Sequence, residues 1–163
     1  MMKNYRPNAG IVVFRSDGKV LLCERNDCDD SGKNWQFPQG GIDKGETPLQ
    51  AALRELREET SVTSVEYAGM LSEPVRYDFP DAVKQKNAAR GIFNDGQEQF
   101  WHLFYFTGQD SEINLQTAEP EFKSYQWVDL PVALEHVVAF KREVYEQVVQ
   151  GFVPLIKQYL QSK

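Results

Sequence analysis

The most informative part of the chain is residues 40–62, which read GGIDKGETPLQAALRELREETSV. Thr47 is a residue type that caps helix N-termini, and Pro48 is tolerated at the first helical position because no N–H is needed there. These signals predict a helix from Pro48 to Thr60. Apolar residues recur within it at helical spacing and predict a core-facing stripe, which consists of Leu49, Ala52, Leu53 and Leu56.

The polar face of this helix is acidic. Glu55, Glu58 and Glu59 are three and four residues apart, which places their carboxylates on one face. A solvated face relieved by Arg54 and Arg57 is one interpretation. The preceding Pro-Gln-Gly-Gly loop, however, lets backbone carbonyls approach a ligand, and carboxylates beside carbonyl oxygens are the donors that Mg²⁺ prefers. Because bound Mg²⁺ often shares its remaining positions with phosphates, the sequence predicts metal-dependent phosphate chemistry.

Strands are predicted on both sides of this segment. Residues 16–18, Ser-Asp-Gly, are a hairpin turn signal between the first two strands. A second helix is predicted from about Pro131 to Gln150, with Gly151 as its stop. This order predicts an α/β (or α+β) fold with a mixed sheet between helices, in one domain of residues 1–163. The predicted strands are residues 9–15, 19–24, 35–37, 64–77, 97–107 and 121–128.

The composition excludes several classes of protein. The chain has 18 Lys and Arg against 24 Asp and Glu, a net charge of −6, which argues against a protein that coats DNA. No apolar run approaches the ~18 residues of a membrane helix, and the first residues lack the apolar core of a signal peptide. Cys23 and Cys28 make neither a disulfide framework nor a zinc site, and Cys23 is expected in the core. We therefore expect a cytoplasmic protein with no DNA and no membrane partner.

The segment Asp78–Asp95 is long for a connection and carries Lys84, Lys86 and Arg90. Connections above ~12–15 residues are usually functional or disordered. Two interpretations of this predicted loop remain open: a solvated flexible connection, or a basic side wall for an anionic ligand.

Residues 40–62 resemble the Nudix box, G-x5-E-x7-R-E-U-x-E-E-x-G-U, in which U is aliphatic. Ser61 stands where the box has a glycine that ends the helix in a left-handed turn, a conformation that serine adopts less readily, so the sequence leaves the cap geometry open. The resemblance implies an α/β/α sandwich and an enzyme in which water attacks the phosphorus of a nucleoside diphosphate linked to another group. The matching positions are Gly40, Glu46, Arg54, Glu55, Leu56, Glu58, Glu59 and Val62.

The same resemblance implies a role for each polar residue of the box. It implies that Arg54 orients the carboxylates and that Glu46 braces the loop. The cofactor that it implies is Mg²⁺, with Mn²⁺ as an alternative. The metal ligands that it implies are Glu55, Glu58, Glu59 and the carbonyl oxygen of Gly40.

Segments between Tyr5 and about Phe152 resemble the bacterial RNA pyrophosphohydrolases and the similar plant-type diadenosine tetraphosphate hydrolases. From their chemistry alone, Arg6 and Arg25 can clamp phosphates bidentately, and Tyr77 can stack on a base. The segments are residues 5–11 (YRPNAGI), 35–42 (WQFPQGGI), 77–80 (YDFP), 96–101 (GQEQFW), 120–122 (PEF) and 137–145 (VVAFKREVY).

This second resemblance adds three assignments. It makes Glu121 a further metal ligand or a proton acceptor, so that the general base is either Glu58 or Glu121. It makes Val138 and Phe140 part of a base-binding pocket. It places Lys141 near the 5′ end of the substrate.

The function predicted from these features is metal-dependent hydrolysis of the 5′-terminal phosphoanhydride of triphosphorylated or diphosphorylated RNA. The product, a 5′-monophosphate, leaves the RNA open to decay. One alternative is asymmetric hydrolysis of diadenosine tetraphosphate to ATP and AMP, which gains weight because Glu98 and Phe100 replace lysines typical of the RNA enzymes. The other is a non-catalytic nucleotide sensor, against which the intact Glu55, Glu58 and Glu59 argue. Nothing in the sequence identifies a protein activator.

Overall fold

The computed structural model describes residues 2–26 and 32–163. Cys28 lies outside the described residues, whereas Cys23 is buried as expected. The strands in the described ranges are β1 (Tyr5–Phe14), β2 (Val20–Arg25), β3 (Trp35–Gln36), β4 (Gln39–Gly41), β5 (Val65–Met70), β6 (Val75–Asp78), β7 (Gly96–Phe106) and β8 (Phe122–Val128). The α-helices there are α1 (Pro48–Thr60), α2 (Asp81–Ala88), α3 (Ala133–His136) and α4 (Arg142–Gln161). Of these helices, none is long and apolar enough to span a bilayer.

The strands form one mixed sheet. Its main order is β3-β2-β1-β7-β5, and β4, β6 and β8 pair with β1, β7 and β2. The central pair, β1 and β7, is parallel and runs in register from Tyr5 opposite Gly96 to Phe14 opposite Tyr105. The remaining pairs in the described chain are antiparallel.

Helices cover both faces of this sheet because strand side chains point alternately to either side. On β1, Ile11 belongs to the buried cluster that contains Leu56 of α1. Its neighbour Val12 belongs to the other cluster, which contains Val148 of α4. The predicted α/β/α sandwich is therefore confirmed.

Helix α1 begins and ends at the residues that its sequence predicts. The Thr47 hydroxyl accepts a hydrogen bond from the Gln50 N–H, and the Gln50 side chain accepts one from the Thr47 N–H, which closes a capping box. At the other end, Ser61 adopts the left-handed conformation (φ 68°), and its N–H donates to the Arg57 carbonyl. The Ser61 hydroxyl donates to the Asn114 carbonyl at 2.8 Å. Serine therefore keeps the left-handed turn that glycine gives in the box.

Two residues of the predicted apolar stripe do not belong to the core. Leu49 and Leu53 are 38% and 42% exposed, whereas Ala52 and Leu56 are fully buried. The face of α1 that meets the sheet is completed by Ala51 instead, so the buried arc is rotated away from Leu49 and Leu53. Spacing alone does not distinguish between neighbouring arcs of the same helix.

The segments that follow α1 are more divided than predicted. The single strand expected over residues 64–77 is two strands, β5 and β6, which contact different parts of β7. The expected loop over residues 78–95 contains α2, which follows Pro80 and has Asp81 in its first turn. No residue of α2 is buried, so its sequence has no apolar periodicity from which the helix could be predicted.

The predicted helix over residues 131–150 is also wrong in its bounds. The chain is extended at Val137 and Val138, between α3 and the start of α4, and α4 continues to Gln161. Gly151 lies inside α4 and is not its stop. The side chain of Leu71 fills the space where a Cβ on Gly151 would lie, so glycine permits a close contact there.

Candidate active site

Arg54 is the centre of an ion-pair network on α1. Its Nε and Nη2 donate to the two carboxylate oxygens of Glu46 at 2.7 and 2.9 Å, a bidentate pair. Its Nη1 donates to Glu55 at 2.7 Å and to Glu58 at 3.2 Å, and Nη2 also donates to the Gly41 carbonyl at 2.9 Å. The Arg54 hydrogen bonds are the main cause that lowers the pKa of Glu46 to about 2. One guanidinium thus fixes the loop, the helix and two carboxylates relative to one another.

The glycine pair Gly40-Gly41 allows two charged side chains to come close to the backbone. The Glu55 carboxylate occupies the space that a Cβ on Gly40 would need. The Arg6 guanidinium in the same way occupies the space beside Gly41. The loop therefore has a carboxylate against one glycine and a guanidinium against the other.

Glu59 is the most buried carboxylate of the site, at 7% exposure. Its carboxylate accepts a hydrogen bond from the Gln39 N–H at 3.2 Å. Burial, together with the negative charges of Glu55 and Glu121, raises the pKa of Glu59 well above its ordinary value. Burial also raises the pKa of Glu55, although Arg54 opposes this effect. Desolvated like charges in one place are stabilised when a cation joins them.

Two cavities lie near these carboxylates, and the first is lined by α1 itself. The first, which we call the acidic cavity, has a volume of about 660 Å³. Its second wall is the loop that precedes β8, where a hydroxyl oxygen of Thr117 is buried without a hydrogen-bond partner among the described residues. The residues that line this cavity are Glu55, Arg57, Glu58, Glu59, Ser61, Thr117, Ala118, Glu119 and Glu121.

The second cavity, which we call the basic cavity, has a volume of about 690 Å³. It contains all six residues predicted to bind substrate, which are Arg6, Arg25, Tyr77, Val138, Phe140 and Lys141. Two further cations, Lys86 and Arg90, and the α2 side chains Val83 and Asn87 also line it. Residues far apart in the chain thus form one wall of cations and aromatic rings.

Glu121 lines both cavities and marks their junction. Its position depends on the end of β2, because the Asn26 N–H donates to the Glu121 carbonyl at 2.9 Å. The Asn26 side-chain amide donates to the Pro120 carbonyl at 3.0 Å. The strand that carries Arg25 is therefore tied to the loop that carries Glu121.

Three aromatic rings form one end of the basic cavity. The Tyr77 ring lies 5.9 Å from the Phe140 ring and 5.7 Å from the Phe79 ring. Tyr77 is 9% exposed, its hydroxyl donates to Gln97 at 2.9 Å, and burial raises its pKa. Phe140 is only half-buried and lies in the short turn between α3 and α4, where it lines the cavity. Phe140 is thus more accessible to a ligand than Tyr77.

Glutamines form the floor of the basic cavity, and sequence reasoning missed their role. The Gln99 side-chain nitrogen lies within hydrogen-bond distance of oxygens of Asn8, Gln39 and Gln97, at 3.1, 2.6 and 3.1 Å. Lys141 is 8% exposed, and its Nζ lies 3.5 Å from Gln36 Oε1. The signal for part of this network was the spacing of two between Gln97 and Gln99, which puts both on one face of a strand.

Glu98 and Phe100, which replace lysines typical of the RNA enzymes, do not line the basic cavity. Glu98 pairs instead with Arg76, at 2.6 Å. Glu98 and Phe100 alternate along β7 with Gln97 and Gln99, so they face the other side of the sheet. The argument that favoured a dinucleotide substrate on this ground is wrong.

A divalent cation fits the donor chemistry of the acidic cavity. Within residues 2–26 and 32–163, no three His, Cys, Asp or Glu side chains already form a group that could hold a metal ion. Arg54 holds the carboxylates of Glu55 and Glu58. The buried carboxylate of Glu59 and the close approach of Glu55 to Gly40 nevertheless place hard oxygen donors together.

The family of the protein follows from comparison with known proteins. The chain matches the family model described as NUDIX domain over residues 4–148, and it belongs to that family. It is therefore a Nudix hydrolase, as the box predicted, and hydrolases of this family generally need a divalent metal ion. Among solved structures, the E. coli dihydroneopterin triphosphate pyrophosphohydrolase matches with a TM-score of 0.63 at 24% identity, covering 90% of this chain and 98% of that chain. This likeness supports the fold.

Curated relatives are more similar in sequence. The chain is 46% identical over 150 residues to the RNA pyrophosphohydrolase of Caulobacter vibrioides, covering 91% of this chain and 86% of that protein. It is 45% identical over 154 residues to the Arabidopsis thaliana protein named Nudix hydrolase 27, chloroplastic, covering 92% of this chain. The chain spans 66% of the length of this plant relative.

Proposed function

We propose that the protein hydrolyses the 5′-terminal phosphoanhydride of triphosphorylated or diphosphorylated RNA and leaves a 5′-monophosphate that initiates decay. The observation that carries this proposal is the junction of the basic and acidic cavities at Glu121. A nucleotide 5′ end has the same order of chemistry, with a base, then a sugar, then a chain of phosphates. The name of the Caulobacter relative supports the same substrate class.

In this proposal each wall of the basic cavity binds one part of the nucleotide. Val138 and Phe140 contact a base, with Tyr77 behind Phe140. Arg6, Arg25 and Lys141 bind phosphate oxygens, and the guanidinium of an arginine does so with two parallel hydrogen bonds. The terminal phosphates then extend past Glu121 to the carboxylates of α1.

The chemistry itself takes place in the acidic cavity. Glu55, Glu58, Glu59 and Glu121, with the Gly40 carbonyl, would hold Mg²⁺ or Mn²⁺. The bound cation supplies charge neutralisation and a more acidic water. Glu58 or Glu121 accepts a proton from the attacking water. Arg54 is a positioning residue, because it orients Glu55 and Glu58, and Glu46 braces Arg54.

RNA is a better match than diadenosine tetraphosphate. A dinucleotide carries a base at each end of its phosphate chain, whereas RNA has none beyond its terminal phosphate. Within the described residues, the acidic cavity has no aromatic side chain to receive a second base. The basic cavity has three, which are Tyr77, Phe79 and Phe140.

We also propose that residues 1–163 form one Nudix domain. In support, side chains of α4 as far as Leu160 pack on the buried cluster that contains Val12 and Phe14 of β1. Cytoplasmic location and the absence of DNA and membrane partners stay predictions from the sequence.

The test compares three substrates in one buffer: triphosphorylated RNA, diphosphorylated RNA and diadenosine tetraphosphate. We expect the two RNAs to have the higher kcat/KM with Mg²⁺ and no turnover with EDTA. A higher kcat/KM for diadenosine tetraphosphate would show that the dinucleotide, and not RNA, is the preferred substrate. No turnover of any of the three would favour a nucleotide sensor.

A further inference from the structure

Helix α2 lies beside the basic cavity without contributing to the core. None of its residues is buried, and its N-terminus lacks a side-chain cap. It nevertheless presents Lys86 and Asn87 to the cavity, and the turn after it presents Arg90. Because this helix adds no buried residue to the core but lines a cavity, we infer that it serves ligand binding.

The two cations that α2 and its turn give to the cavity differ from their neighbours. Lys84, on the same helix, pairs with Asp95 at 3.2 Å and does not line the cavity. Arg76, on the adjacent strand, pairs with Glu98. Lys86 and Arg90 are exposed, and among the described residues neither has an acidic partner within salt-bridge distance.

An exposed aromatic ring completes this surface. Phe93 is 75% exposed, more than any other aromatic residue in the described part of the chain. Its two neighbours in sequence, Ile92 and Asn94, both line the basic cavity. Exposed aromatic rings beside cations are typical of surfaces that bind single-stranded nucleic acid, where bases stack on the rings.

The position of this surface indicates which part of a substrate it meets. Neither Lys86 nor Arg90 lines the acidic cavity, where the terminal phosphates are expected. They lie with the residues expected to bind a base. Their charge is therefore placed for internucleotide phosphates that follow the 5′-terminal dinucleotide.

We propose that Lys86, Arg90 and Phe93 bind the RNA strand beyond its 5′-terminal dinucleotide, with the two cations on internucleotide phosphates and Phe93 stacked on a base. The inference rests on the proposed function and extends it, because it makes RNA length a determinant of affinity. Charge complementarity supports a single-stranded polyanion as the occupant. Of the five other cations named here, Arg6, Arg25 and Lys141 are proposed for the 5′ phosphates, and Lys84 and Arg76 form ion pairs.

The experiment measures the effect of RNA length on two variants and one control. The variants are Lys86→Ala/Arg90→Ala and Phe93→Ala. The matched control is Lys84→Ala, which removes a cation from the same helix but from outside the cavity. Each protein is assayed with a triphosphorylated dinucleotide and a triphosphorylated octanucleotide, and its binding of a 5′-monophosphorylated octanucleotide is measured by fluorescence anisotropy.

We expect Phe93→Ala to leave the dinucleotide kcat/KM within about twofold of wild type, because Phe93 does not line the basic cavity. The double variant should lower the octanucleotide kcat/KM by a larger factor than the dinucleotide kcat/KM. Phe93→Ala raises the Kd for the octanucleotide at least about fivefold, the loss expected for one stacked base. The double variant lowers the slope of log Kd against log salt by about 1.4, because two phosphate contacts on a single strand are lost. Lys84→Ala matches wild type in both assays.

Several outcomes would overturn the inference, and they are distinguishable from failure of the proposed function. If wild type cleaves both RNAs and the variants bind the octanucleotide normally, this surface does not contact RNA. If the variants lose the dinucleotide and the octanucleotide equally, Lys86 and Arg90 serve the 5′ phosphates instead. If wild type cleaves neither RNA, the proposed function fails and this inference fails with it.

Discussion

The carboxylate of Glu55 occupies the space that a side chain on Gly40 would fill. Gly40→Ala should therefore displace a proposed metal ligand. We expect kcat to fall by at least ~10²-fold, the scale of losing one key electrostatic group. Folding should change little, because the atoms in contact are the mobile end of a side chain. Activity and thermal unfolding are measured on the same preparation.

A second variant shows whether the two residues act together. Glu55→Gln should lower kcat by a similar factor. The double variant should lower kcat little further, because the effects of substitutions at two residues in contact are not additive. Normal turnover by Gly40→Ala would mean that the placement of Glu55 beside the loop is not needed.

Metal-free stability should depend on pH through Glu59. Because burial raises the pKa of Glu59 in the folded state, folded protein retains this proton above the pH where the unfolded carboxyl, of pKa ~4.3, loses it. The stabilisation is complete below that pH and is lost as pH rises toward the raised pKa. Glu59→Gln removes this loss. Urea unfolding in EDTA should therefore favour the variant increasingly as pH rises above about 4.

Added Mg²⁺ should reverse this order, because only wild type keeps the full carboxylate set. A difference between Glu59→Gln and wild type that stays constant over this pH range would show that Glu59 ionises normally.

Phe140→Ala should impair RNA turnover far more than folding. Phe140 is half-buried and lines the basic cavity. Loss of one stacked base costs about 1–3 kcal/mol in kcat/KM, with little change in Tm. Phe152, fully buried under the sheet, is the matched control. Its replacement by alanine should cost about 3–5 kcal/mol of stability. A sharp fall in Tm for Phe140→Ala with normal turnover would contradict the pocket assignment.

Ser61 holds a left-handed backbone that costs an L-residue energy. Ser61→Ala keeps this strain and loses the hydrogen bond to the Asn114 carbonyl, whereas Ser61→Gly loses the bond but relieves the strain. We expect the alanine variant to be less stable than the glycine variant by at least ~1 kcal/mol in urea unfolding. Equal stability of the two would indicate that the turn relaxes when the hydroxyl is lost.

Local signals predicted α1 correctly, whereas the bounds of α4 depended on contacts that the sequence does not reveal. Thr47 and Pro48 lie beside the first turn they define, so the start of α1 is encoded locally. Gly151 looked like a stop because glycine often ends helices, yet its role depends on Leu71, which is distant in sequence. A glycine needed for a tertiary contact and a glycine needed for a turn look the same in one sequence.

Some residues of the candidate site could likewise be predicted from local sequence, whereas others depend on tertiary structure. The spacing of Glu55, Glu58 and Glu59 was visible because one helix carries all three. Glu121 was reached only through the family resemblance, since its place beside Glu59 depends on how β8 enters the sheet. The orientation of Glu98 away from the basic cavity depends on strand register, which one sequence does not determine.

In the proposed reaction, the carboxylates of α1 support metal-dependent cleavage at an RNA 5′ end. The most direct measurement is the rate of phosphate release from triphosphorylated RNA at saturating Mg²⁺, for wild type and for Glu58→Gln. Glu58 is exposed, so the variant should fold normally and lose at least ~10²-fold in kcat. Near-normal kcat for Glu58→Gln, or release by wild type that persists in EDTA, would contradict the claim.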